Sequence, residues 1–154
     1  AYPGDPRLPF LQGSFLAGNR EYSDAATAMR RAVDLAPAYD LARFQLGFLL
    51  LTSGEPYAAQ EAWGPLHGLP SNAYVRRFVE GLCHLIRDEF KDAAAALEDG
   101  IARNQDNPPM NADMRLIIAE IHARDTGDGA IGSDEPMSPA QLLLLQAAFK
   151  ATRH

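Results

Sequence analysis

The chain has 154 residues, 47% of them apolar and 22% charged, a balance that buries a core and excludes a disordered polypeptide. Its formal charge of −6 is uneven, neutral over residues 1–77, −8 over 78–137 and +2 over 138–154. No basic stripe exists to displace counterions, which excludes nucleic acid as the expected ligand, and no apolar run approaches the roughly 18 residues of a membrane span.

Apolar spacing is helical nearly throughout, and no segment alternates with period two for long enough to propose a strand. In chain order the pattern predicts helices over about 8–18, 22–35, 39–52, 56–66, 73–87, 90–103, 109–124 and 139–151. Short links carry the stop signals: Ala36-Pro37, Ser53-Gly54-Glu55-Pro56, Gly68 to Asn72, and Asn104 to Pro109. Links this short predict helix hairpins. Gly64-Pro65 interrupts the fourth helix, which is expected to kink or end early because proline removes a hydrogen bond and strikes the preceding turn. Residues 125–137, DTGDGAIGSDEPM, lack periodicity and read as an acidic, Gly-rich flexible linker; their carboxylates miss the offsets of a calcium loop. Ser138-Pro139-Ala140-Gln141 then opens a helix that is apolar round most of its circumference.

The chain also repeats itself. At a period of 34, Gly13, Gly47 and Gly81 coincide, as do Ala25, Ala59 and Ala93, and Met29, Trp63 and Leu97. A fixed period of this size marks one supersecondary unit stacked so that neighbours bury what one unit cannot. In these positions the chain resembles the tetratricopeptide repeat family over roughly residues 6–107. The family's small eighth residue is Gly13, Gly47 and Gly81, its alanine Ala25, Ala59 and Ala93, and its bulky twenty-fourth residue Met29, Trp63 and Leu97. A later small residue is Ala32 and Gly100, and the closing proline is Pro37. Departures are Leu66 where a small residue is usual, Pro56 where an aromatic is usual, and the missing third closing proline. The first residues, with Asp5-Pro6, resemble the end of a preceding repeat.

The resemblance implies an all-α, right-handed solenoid of antiparallel hairpins over residues 1–124, a linker over 125–137, and a C-terminal helix over 138–154. That helix is expected to cap the array; the other placement lays it in an apolar groove, of its own chain or of a second copy in a homodimer. The family's register implies a concave face formed by Phe10 and Ser14 of the first repeat, Leu41, Phe44, Phe48 and Leu51 of the second, and Val75, Phe78, Leu82 and Leu85 of the third. The lysines, arginines and asparagine with which some relatives clamp a terminal carboxylate are absent, so an apolar helix or extended segment is the expected ligand. The alternative is that individual phenylalanines of this set pack between helices instead of lining a surface.

Candidate chemistry is sparse. His84 and Asp88 stand at i and i+4, a spacing that suits a metal, but no third ligand is near and a hydrogen bond or ion pair is the expected role. His67, His122 and His154 suggest no site. Cys83 lies among apolar neighbours and excludes both an internal disulfide and a Cys-rich zinc centre. With no nucleophile elbow or phosphate cradle, neither catalysis nor a cofactor is expected. The sequence therefore predicts a scaffold or adaptor that binds a protein or peptide partner. A secretion or assembly chaperone is the alternative, and a regulatory fragment of an enzyme the contrast. AYPGDPRL shows no signal peptide, and one cysteine tilts the compartment, otherwise open, toward the cytosol.

Overall fold

The computed structural model describes residues 4–123. The predicted linker and C-terminal helix, with its capping and dimer roles, lie outside them. Among the described residues are seven α-helices and no strand: α1 (Arg7–Gly18), α2 (Tyr22–Leu35), α3 (Asp40–Thr52), α4 (Pro56–Trp63), α5 (Tyr74–Ile86), α6 (Phe90–Arg103) and α7 (Pro108–Ala123). They fall into two compact units divided between Gly68 and Leu69. In the first unit α1 packs on α2, α2 on α3 and α3 on α4; in the second α5 packs on α6 and α6 on α7.

The repeat is visible at the level of single backbone bonds. After each of α1, α3 and α5 one residue adopts a left-handed conformation: Arg20 at φ 64°, Gly54 at 83° and Asp88 at 60°. Its amide donates to Ala17, Leu51 or Leu85, at 3.0–3.1 Å. The next amide, of Glu21, Glu55 or Glu89, reaches back to Leu16, Leu50 or His84 at 2.9 Å. These bonds satisfy carbonyls that a helix end leaves without partners and reverse the chain within two residues. The same glutamates open α2, α4 and α6 by accepting from Ala25, Ala59 and Ala93.

Interlocked side chains then set the hairpin spacing. A Cβ added to Gly13 would stand 3.0 Å from two Met29 atoms, and one on Gly81 would stand 2.7 Å from Leu97. At Gly47 it would run into the Trp63 indole. Trp63 is fully buried, and its Nε1–H donates to the Phe44 carbonyl at 3.1 Å, which satisfies the indole's one polar group. Gly100 likewise leaves room for the Phe78 ring.

The Gly64-Pro65 break has the expected effect: α4 ends at Trp63 and Gly64–Gly68 forms a 3-10 turn, three residues short of the predicted end. Leu66 occupies the repeat position held by Gly100 in the next unit. A helix continued through it would carry its bulk toward Phe44, as Gly100 faces Phe78; the changed path buries Leu66 completely instead. The last link depends on asparagines. Buried Asn104 donates from Nδ2 to the Asn107 carbonyl at 2.7 Å and to Asn111 Oδ1 at 2.9 Å, while its Oδ1 accepts from the Asn107 amide. Its amide group thereby ties the end of α6 to the start of α7.

The turn geometry predicts opposite responses at equivalent positions. Gly54→Ala should cost about 1–2 kcal/mol, because a Cβ is disfavoured at positive φ, whereas Asp88→Gly should gain about 0.5 kcal/mol. Urea unfolding midpoints check this; equal effects at 54 and 88 would contradict it.

Candidate functional site

The ten residues assigned to a concave face divide into two sets. Phe44, Leu51, Val75, Phe78, Leu82 and Leu85 are buried. Phe44 stacks on Trp63 with ring centroids 6.3 Å apart, and the ring of Phe78 fills the space beside Gly100. Phe44 and Phe78 are therefore hairpin interior and not an open groove wall, which corrects the expected placement. The physical reason is the helix phase in α3 and α5: Phe44 and Phe78 stand three residues before Gly47 and Gly81, whose missing Cβ admits the partner helix, and each ring is drawn between the helices. Phe10, at the same position of the first repeat, packs on Tyr39 instead.

Phe10, Leu41 and Phe48 are half-buried and Ser14 is exposed. These four belong to α1 and α3, within the first unit. Phe10 contacts Tyr39 with ring centroids 5.1 Å apart, and Phe48 stacks on Phe44 at 6.1 Å, the planes 10° from parallel. Phe48 thus rests on a buried ring and Phe10 on a half-buried one, which restrains both at low entropic cost. Burial pushes the Tyr39 phenol upward, so it stays neutral beside Phe10. Ser14 returns its hydroxyl to the Phe10 carbonyl at 3.0 Å and presents no free donor. Arg43, beneath this face, spends its guanidinium on the Pro37 and Ala62 carbonyls. What remains for a ligand is an aromatic and aliphatic face: Phe10, Leu41 and Phe48.

In the second unit, charged groups on α5 and α6 serve packing. Arg77 donates to Asp99 at 2.7 Å and to Glu80 at 2.9 Å, and Arg103 donates to the same Asp99 oxygen at 2.8 Å. The Arg103 bond leads in holding the Asp99 carboxyl below its ordinary range. His84 pairs at 2.8 Å with Glu89, not with Asp88 as its spacing suggests, because the left-handed turn at Asp88 carries the chain past it and returns Glu89 to the helix end. Among the described residues no cluster of three His, Cys, Asp or Glu side chains is placed to hold a metal. Cys83 is buried, and desolvation raises its thiol, leaving little thiolate for attack. Asp113, half-buried on α7, is pushed up to about 6 by burial.

Comparison of the chain with protein-family models, with curated proteins and with solved structures gives no match.

Asp113 sets a pH dependence whose sign is fixed. Its folded-state value lies above its ordinary value of 3.8, so the folded state holds the proton more tightly. The associated stability is present at low pH and lost as pH rises through about 6. Asp113→Asn should therefore stabilise the chain by on the order of 2 kcal/mol at pH 8, and by almost nothing near pH 3.5. Denaturant titrations of both chains at the two pH values check this; a difference independent of pH would refute the assignment.

Proposed function

We propose that the chain is a tetratricopeptide-like, non-enzymatic interaction module, in which an apolar segment of a partner protein lies across Phe10, Leu41 and Phe48. The observation that carries this reading is the aromatic face of the first unit. Half-exposed Phe48 is stacked on buried Phe44, and Phe10 packs tilted against half-buried Tyr39, so large apolar rings are restrained at the surface. A surface of this kind gains free energy by losing water and has little side-chain entropy left to lose. The nearby Arg7 guanidinium is paired with Asp5 at 2.7 Å, and the face suits the apolar side of a helix or an extended segment. The sequence period of 34 and the threefold identity of the turns support the repeat reading.

A photo-crosslinking phenylalanine analogue at Phe48, with the same analogue at Tyr57 (85% exposed) as control, tests this in cells that express the chain. Partner adducts should form at position 48, be absent at position 57, and disappear when Leu41→Glu is added while the circular dichroism stays helical. Phe44→Glu should instead unfold the first unit, since that ring is 1% exposed. Adducts equal at 48 and 57, or unaffected by Leu41→Glu, would contradict the proposal.

A further inference from the structure

The first helix carries a second apolar surface that the Phe48 face does not include. Leu8, Leu11 and Phe15 are 53%, 63% and 70% exposed. Their spacing of three and four residues puts them in one stripe, on the side of α1 turned away from Gly13 and its contact with α2. Three large apolar side chains side by side on one helix are more than the scattered exposure of an ordinary surface.

The repeat itself shows what belongs on this stripe. At the period of 34, its counterparts in α3 are Ala42, Gln45 and Leu49. Ala42 is fully buried, Leu49 is 6% exposed and Gln45 is half-buried. Gly47 turns the other side of α3 to Trp63 of α4, and the remaining helix on which α3 packs is α2. An amphipathic helix therefore covers in α3 the face that α1 leaves open among the described residues. A cleft of about 320 Å³ adjoins the open stripe, lined by Gln12, Leu16, Asp24, Thr27, Ala28 and Arg31. Gln12 is four residues from Leu8 and three from Phe15, so the stripe and the cleft share an edge.

We infer that the outward face of α1 docks one amphipathic α-helix of a partner polypeptide, seated on Leu8, Leu11 and Phe15 as α2 is seated on α3. The chemistry of that helix follows from the difference between the two faces. Leu, Leu and Phe replace Ala, Gln and Leu, so the incoming helix must present a stripe of small residues to approach as closely, of the kind that Ala25, Ala28 and Ala32 form in α2. A polar or charged residue at its margin meets Asp24 and Arg31 at the cleft. A symmetric pair of α1 helices fits less well. Such a pair sets Leu8, Leu11 and Phe15 against the same bulky residues and not against the small ones that close approach requires.

The probe is a fluorescein-labelled peptide of residues 21–36, the α2 sequence, closed into a helix by a lactam between Ser23→Lys and Thr27→Glu, two positions exposed in α2. Circular dichroism first establishes that it is helical, and anisotropy then follows its titration with the intact chain. Saturable binding in the micromolar range is expected, weakened at least tenfold by Leu11→Glu with Phe15→Glu, and severalfold by Phe15→Ala, which adds no charge. Leu41→Glu, on the other surface, should leave it unchanged, so failure here is distinguishable from failure of the Phe48 face. Absence of saturable binding by the helical peptide, or binding insensitive to position 15, would overturn the inference. Sedimentation that shows a dimer dissolved by Phe15→Glu would overturn it as well, assigning the stripe to a second copy.

Discussion

Everything in this fold follows from three places where a helix lacks a Cβ and a neighbouring helix supplies a large side chain. Gly13 faces Met29, Gly47 faces Trp63 and Gly81 faces Leu97, each pair sixteen residues apart. Close approach of the backbones brings the rest of each interface within contact distance, and the large residue fills the volume that a Cβ would have taken. The alanines at 25, 59 and 93, all fully buried, complete the close approach from the opposite helix. Hairpin spacing is thus set by side-chain volume. The left-handed turns at Arg20, Gly54 and Asp88 need only return the chain to where that packing requires it.

This arrangement explains why the exposed apolar residues fall where they do. In α3 and α5 the ring three residues before the glycine is drawn inward, so Phe44 and Phe78 are interior. Phe10, Leu41 and Phe48 are half-buried, Phe48 against the core ring of Phe44 and Phe10 against Tyr39. Leu8, Leu11 and Phe15 lie on the far side of α1, exposed among the described residues. Two exposed apolar surfaces therefore arise from one helix phase. One is ordered by ring contacts; the other is the stripe of Leu8, Leu11 and Phe15 on α1.

Much of this was legible in the sequence, because glycine, alanine and a bulky residue recurring at period 34 leave a signal that survives substitution elsewhere. The helix bounds follow closely, and Gly64-Pro65 marks the early end of α4. The site was less legible. A register names positions on a helix wheel, but whether Phe44 or Phe48 faces water depends on helix separation, which is a property of packing. The turn bonds were foreshadowed by Glu21, Glu55 and Glu89 at the same period, a repeat hidden by the unlike residues before them, Arg20, Gly54 and Asp88. Asn104 and Asn107 fell in a link read as a helix stop, and Asn111 inside the predicted helix; only their geometry shows that one side-chain amide binds two helices.

A double-mutant cycle at Gly81 and Leu97 tests the central claim most directly. With Leu97 present, Gly81→Ala places a Cβ 2.7 Å from its Cδ2 and should cost about 1–3 kcal/mol, despite the better helix propensity of alanine. In a Leu97→Ala background the obstruction is gone, and Gly81→Ala should be neutral or stabilising by up to about 1 kcal/mol. The coupling read from urea unfolding would then be at least about 1 kcal/mol. Additive effects, with Gly81→Ala equally costly in both backgrounds, would show that the glycine is not there to admit Leu97.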